Sequence, residues 1–401
     1  TGCSLTASND PVAHHPVTVS AGFPGGNIVV DRIDGDHVLL QQDLRDTTAW
    51  WFYWCFAVRD AGGRTLTFEF TNDNVFTAAG VACSRDQGQT WTWLPHDVVD
   101  GRSFTYAFDR HEDDVRFSFA MPYQRERLDR FLAAHADNAG LRVEPHAVTR
   151  RGRQNIRLRL GRVDGQAEHR VLLTCRHHCC EMMAQYALEG VLQTVLERKG
   201  ESGRWLADHV EFMVVPMVDL DGVEDGDQGK LRAPRDHNRD YDGHSRYPTV
   251  QATMAHVPEW ADGRLRVALD LHCPWIRGPH NESIYLVGQA EPRIWTEQQR
   301  FGAVLEAGLQ GPLPYRAADD LPFGQGWNTG AGYKQGRTFS GWAATLPGVA
   351  LASTIEIPYA TAGGVEVNQA TAQAFGRDLA EAIRRYLDPA RKGLATFSRR
   401  I

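Results

Sequence analysis

From Tyr123 onward the chain alternates long apolar runs with amphipathic ones, and the apolar runs break off in clusters of imidazole and carboxylate side chains. The stretches 170–176 (RVLLTCR), 210–218 (VEFMVVPMV), 264–272 (RLRVALDLH), 284–288 (IYLVG) and 350–357 (ALASTIEI) read as buried strands. RERLDRFLAAHAD, the segment 181–200, RIWTEQQRFGAVLEAGL and the closing TAQAFGRDLAEAIRRYL place apolar residues at helical spacing. The helix at 181–200 ends in a basic turn and a Gly stop. Such an alternation predicts an α/β domain with a mixed, largely parallel sheet and helices on both faces. Ligands of sheets like this bind outside the carboxyl ends of the strands.

The region before it has another texture. Between Val17 and Ala120 short β-rich runs are separated by turn clusters such as DAGGR, SRDQGQ and DGR, which predicts an antiparallel β-sandwich domain. Residues 1–16 read as a polar tail, 17–120 as the sandwich and 121–401 as the α/β domain. A length of 401 residues exceeds what one core usually carries. The aromatic run from Trp50 to Phe56 is expected to be a strand buried on both faces, with a carbohydrate-binding face as the alternative.

Composition excludes several classes. With 42% hydrophobic and 23% charged residues the chain is neither disordered nor fibrous. A net charge of −7 argues against a nucleic-acid partner, and no apolar run reaches the ~20 residues of a membrane-spanning helix. Seven cysteines are an odd number, so at least one thiol is free or pairs between chains. A reducing, cytoplasmic compartment is the simpler reading. The opening Thr1-Gly2-Cys3-Ser4 resembles the end of a bacterial lipobox, and a lipoprotein exported and anchored through Cys3 is the alternative.

The chemistry gathers at the strand ends. The first strand runs into Arg176-His177-His178-Cys179-Cys180-Glu181, the third ends in Asp270-Leu271-His272, and the last carries Glu356. A polar loop between them holds Asp236-His237-Asn238-Arg239. Two His and one carboxylate match a catalytic zinc site, which takes three protein ligands and leaves a position for water. H-x-x-E alone is a weak signal among sixteen His, and His256-Val257-Pro258-Glu259 repeats it. That second copy follows no apolar strand and opens no helix in this reading. His177 competes with His178, but it lacks the two-residue spacing to Glu181 and points to the opposite face of a strand.

These residues resemble the zinc carboxypeptidases of the carboxypeptidase A-like (funnelin) type, in particular the cytosolic-carboxypeptidase branch. That branch has R-x-H-P-G-E at Arg176–Glu181, P-M-L-N-P-D-G-V at Pro216–Val223, D-L-N-R at Asp236–Arg239 and D-L-H at Asp270–His272. Gly26-Asn27, the strand at Trp51–Phe56, the segment Phe68–Asn72 and Met121-Pro122-Tyr123 extend the likeness through the amino-terminal region. The resemblance implies a zinc-dependent metallocarboxypeptidase that hydrolyses the C-terminal peptide or isopeptide bond of a peptide or protein.

It also implies roles. His178, Glu181 and His272 would hold one Zn2+ per chain, and Glu356 would be the general base. Asn238 and Arg239 would grip the substrate carboxylate, and Asp236 would orient a ligating His. The basic residue that polarises the scissile carbonyl has no exact counterpart, which leaves Lys230 or Arg232, with Arg232 expected at the substrate. Tyr333 would cap the substrate. Cys179-Cys180 replace the branch's Pro-Gly, and Cys273 follows His272. Arg277, Lys334 and Arg337 are basic candidates for a specificity pocket in unassigned loops. The alternatives are a zinc amidohydrolase acting on small N-acyl amino acids, and a catalytically inactive binding protein.

Overall fold

The computed structural model describes residues 16–388, so Cys3 and almost all of the polar tail lie outside the described residues. The amino-terminal region folds as two five-stranded sheets. One joins strands Thr18–Ser20, Cys55–Arg59, Asp114–Ser118, Ala82–Ser84 and Thr92–Trp93, all antiparallel. The other joins Val29–Asp34, His37–Gln41, Thr65–Phe70, Ser103–Ala107 and Val99–Asp100. It is mixed rather than antiparallel, because His37–Gln41 and Thr65–Phe70 run parallel. The chain between those two strands passes through the other sheet, and such a crossover brings it back in the same direction.

Alternation explains how the sheets meet. Along TLTFEF the residues Leu66, Phe68 and Phe70 are buried and their neighbours are not, the two-residue period of a strand. Phe68 meets Phe56 at 5.4 Å between ring centroids, and Phe104 meets Phe117 at 5.2 Å. Trp51 to Phe56 are buried, yet the strand starts at Cys55. The Trp54 indole donates to the Val75 carbonyl at 3.1 Å. The run is core, not a carbohydrate-binding face.

The second region opens with α1 (Arg125–Ala133) and continues with β1 (Leu141–Val148), β2 (Gln154–Gly161), β3 (His169–Cys175), α2 (Met182–Leu196), α3 (Gly200–His209), β4 (Val210–Val215), α4 (Leu220–Asp225) and α5 (Pro248–Ala261). Then come β5 (Leu265–His272), β6 (Tyr285–Val287), α6 (Pro292–Gly308), α7 (Gly330–Tyr333), α8 (Phe339–Ala343), β7 (Leu351–Glu356) and α9 (Gln369–Leu387). The seven strands lie in the order β1-β2-β4-β3-β5-β7-β6. The four central strands are parallel, and β1, β2 and β6 add antiparallel edges. Alternate residues of the central strands feed two cores. Val171, Leu173 and Cys175 pack with α2 and α9, while Leu172, Met213 and Ala268 pack with α5 and α8. Helices therefore cover both faces.

Three local readings change. Gly200, with φ +61°, opens α3 instead of ending the chain's helical run, so two helices stand where one was expected. The β1–β2 hairpin carries charged side chains on its outer face and had no strand expectation. His256 and Glu259 sit inside α5, with Pro258 in the same helix, and neither joins the metal-ligating groupings. Among the described residues no helix is long and apolar enough to cross a membrane.

Candidate active site

The turn after β3 decides where the imidazoles go. Arg176 adopts φ +61°, and its guanidinium donates to the Cys179 carbonyl (2.9 Å) and the Tyr123 carbonyl (2.8 Å). That clamp reverses the backbone, so His178 comes back over Glu181, the residue that immediately precedes α2. His272 arrives as the last residue of β5, the strand paired beside β3.

The three side chains converge on one point. His178 Nδ1 lies 2.7 Å from Glu181 Oε1, and His272 Nδ1 lies 2.6 Å from Glu181 Oε2. The two Nδ1 atoms are 3.1 Å apart. Each ring turns its other nitrogen to a carboxylate: His178 Nε2 to Asp236 Oδ1 at 3.1 Å, and His272 Nε2 to Asp270 Oδ2 at 2.6 Å. A carboxylate behind an imidazole keeps the proton on the outer nitrogen and the lone pair facing inward. Two such lone pairs and a carboxylate in one buried spot repel unless a cation or extra protons sit among them. Burial disfavours the charged form of His272, yet Asp270 and Glu181 outweigh it and raise its pKa well above the usual range. The donor set, two neutral nitrogens and one carboxylate, fits zinc with one position left open.

A second grouping, His177 with Asp270 and His272, shares one imidazole. Both His177 nitrogens are taken, by Asp270 Oδ1 (2.8 Å) and the Tyr241 hydroxyl (2.8 Å), so it offers no lone pair. The sulfurs do not join either cluster. Cys179 donates to the Asp227 carbonyl at 3.0 Å, and burial pushes the Cys180 thiol up to about 12.

Around the cluster opens a cleft lined by His178, His272, Glu356, Lys230, Asn238 and Arg239. Glu356 ends β7 in register with His272 and is 6% exposed, with its Oε2 lacking a hydrogen-bond partner among the described residues. Burial pushes its pKa up to about 7, with Glu181 adding to the rise and His272 opposing it. Asp236 accepts from the Asn238 N–H at 2.7 Å, Asn238 Nδ2 lies 3.3 Å from His272 Nε2, and Asn238 Oδ1 accepts from the Phe339 N–H at 2.8 Å. Arg239 donates to the Asn238 carbonyl at 2.8 Å.

Arg232 does not reach this cleft. Its guanidinium is spent on Asp219 (2.7 Å) and Asp227 (2.9 Å), with Asp46 at 3.6 Å, on the far side of the loop. Lys230, two residues earlier, occupies the cleft in its place. The backbone of Tyr333 ends α7, but its side chain lies outside the described residues. Arg277 reaches back to the Phe76 carbonyl at 2.7 Å and the Asn74 side chain at 3.0 Å, away from the cleft. Sequence reading missed Thr354, Gln289, Ser340 and Trp327 in the cleft wall. Thr354 was findable, since it stands two residues before Glu356 on the same strand face. The others come from loops and short turns without periodicity.

Strand ends that carry a buried two-histidine, one-carboxylate cluster, with a carboxylate and two cations facing it, define an α/β protein with a candidate metal centre. Residues 129–259 match the family model described as zinc carboxypeptidase. Among curated proteins, an uncharacterized protein of Zymomonas mobilis is 27% identical over 212 residues, covering 51% of this chain and 54% of that protein. Cytosolic carboxypeptidase 3 of Bos taurus is 24% identical over 196 residues, covering 46% of this chain and 19% of that protein. The aligned part thus spans about half the length of the first relative and about a fifth of the second. Two solved metallo-carboxypeptidases share the fold. The one from Burkholderia cenocepacia has a TM-score of 0.74 at 21% identity, covering 93% of this chain and 99% of that one. The one from Pseudomonas aeruginosa, in complex with (2-guanidinoethylmercapto)succinic acid, has a TM-score of 0.72 at 22% identity, covering 92% and 98%.

Proposed function

We propose that the protein is a zinc-dependent metallocarboxypeptidase acting on the C-terminal peptide or isopeptide bond of a peptide or protein, with Glu356 as general base. The observation that carries this reading is the unpartnered, buried Glu356 oxygen in the same cleft as the three-ligand cluster and Arg239. His178, Glu181 and His272 would hold one zinc ion, with Asp236 and Asp270 fixing the two imidazoles. Zinc bound there would supply a Lewis acid and lower the pKa of a water toward ~7. Glu356 takes the proton of the attacking water and hands it to the departing amine. Its elevated pKa suits both halves of that task, because a base near neutrality can accept and return a proton at physiological pH. Arg239 and Asn238 bind the terminal carboxylate, for which a guanidinium offers a matched fork. Lys230 places an ammonium where negative charge grows on the carbonyl oxygen.

The division into a sandwich at 17–120 and a catalytic unit at 121–401 belongs to the same proposal. Trp51 of the first packs on Trp275 of the second at 4.8 Å, three residues past His272, so the first region borders the site. The six described cysteines are unpaired and buried, which supports a reducing, cytoplasmic setting.

Peptides with free or amidated carboxy termini test the substrate grip. Arg239→Ala should raise KM at least ~10-fold for free carboxylates and little for amidated peptides, because only the former present the paired charge. Equal losses on both would contradict the assignment. A wild-type preference for N-acyl amino acids over peptides would favour the amidohydrolase instead.

A further inference from the structure

The segment 230–239 separates two cavities. Lys230, Asn238 and Arg239 face the cleft, while Arg232 and His237 line a second cavity of about 320 Å³ on its other side. That volume is several times the ~30 Å³ share of one water. The second cavity plays no part in the chemistry proposed above.

Its walls are polarised in one direction. The carboxylates present are already matched: Asp219 takes Arg232 at 2.7 Å and the Gly222 N–H at 3.0 Å. Asp221 takes Thr149 Oγ1 at 2.7 Å, Arg153 at 2.9 Å and the Arg151 N–H at 3.1 Å. Several polar groups are not matched. The first turn of α5 lines the cavity through Pro248 and Thr249, and Tyr247 before it supplies no side-chain cap. A 14-residue helix therefore presents its positive end there. His237 is buried, stacked on the Tyr247 ring at 3.5 Å between centroids, and its Nδ1 has no partner. Arg232 Nε is likewise buried without a partner. Arg150 stands over the Tyr247 ring at 6.0 Å and makes no ion pair among the described residues.

We infer that this cavity is a second ligand site, separate from the catalytic cleft, that binds a small oxyanion (a phosphate or carboxylate group) between Arg150, His237 and the amino end of α5. A helix amino terminus and a guanidinium on one concavity are the donors such groups select. The buried, unpartnered His237 nitrogen gives the cavity floor a polar atom that an oxyanion or its bound water can reach.

The test needs no peptidase activity. Inorganic phosphate and succinate are each titrated by calorimetry into the zinc-loaded protein, against sodium chloride of equal ionic strength. Arg150→Ala, an exposed substitution outside the catalytic machinery, is measured alongside. Phosphate held in the cleft contributes equally to both proteins, so the difference between them reports on the second cavity. Saturable binding that weakens at least ~10-fold in Arg150→Ala, and is largely restored in Arg150→Lys, is expected. Whichever anion shows that difference identifies the ligand's chemistry. Identical titrations of wild type and Arg150→Ala with both anions would overturn the inference.

Discussion

Arg232 and Lys230 stand two residues apart and do opposite things. Arg232 holds together three carboxylates, those of Asp46, Asp219 and Asp227, whereas Lys230 faces the catalytic cleft. Replacing Arg232 by Met should therefore cost stability of the order of 3 kcal/mol or more, because buried carboxylates lose their counter-charge. KM per folded molecule should barely move. Chemical denaturation and peptide kinetics on one preparation check both halves, and a large KM change at unaltered stability would refute the structural role. Spacing could not have settled which of the two cations serves the site. The clustering of His178, Glu181 and His272 was legible because H-x-x-E after a strand and D-L-H at the end of another each fix a direction through strand and helix geometry. A loop such as 226–239 carries no period, so the face on which a side chain emerges is decided by contacts with Asp46 and Asp227, which are distant in sequence or hidden in the same loop.

Between elements, α2 and α9 pack backbone against backbone. A Cβ at Gly190 would strike the Gln373 carbonyl, and one at Gly376 would strike the Ala187 carbonyl. Alanine is the better helix former by about 1 kcal/mol, yet Gly376→Ala should destabilise the protein by about 1–3 kcal/mol, because backbone must move to admit the methyl group. A raised melting temperature would contradict this packing. The β1–α5 contact makes a pH prediction. His146 on β1 is buried against α5, with Nε2 3.0 Å from Thr253 Oγ1, and burial pushes its pKa down to about 4. The unfolded chain, with an ordinary value near ~6.5, binds that proton first. Stability should thus be full above pH 6.5 and fall by up to about 3 kcal/mol as pH drops toward 4. His146→Gln should flatten that limb in denaturation midpoints taken across this range, and an unchanged slope would refute it. Neither α5 nor the β1–β2 hairpin was foreseen. Pro258 disguises the helix, and β1 alternates poorly, with Val143 and Val148 exposed.

Across the whole molecule, the long apolar strands announced the sheet, since only burial on both faces tolerates them. The order of those strands was not legible, because long connections holding loops and several helices join Val215 to Leu265 and His272 to Leu351. The joining of the two regions was not legible, because it runs through backbone partners. Asn27 donates to the Gly226 carbonyl at 2.7 Å, and Gln228 brackets Tyr53 by accepting from its N–H at 2.7 Å and donating to its carbonyl at 2.9 Å. These bonds anchor the loop that carries Lys230 and Arg239 and so tie the amino-terminal sheets to the cleft. In the proposed mechanism catalysis by that assembly rests on Glu356, whose carboxylate is costly at such depth unless it serves the reaction. The decisive measurement is single-turnover peptide hydrolysis by Glu356→Gln, with zinc content and melting temperature taken on the same preparation. Glutamine keeps the shape but cannot take the proton of water, so the variant should fold, hold one zinc per chain and lose at least ~10²-fold in rate. A stable, zinc-loaded Glu356→Gln protein that hydrolyses peptide at close to the wild-type rate would contradict the general-base role.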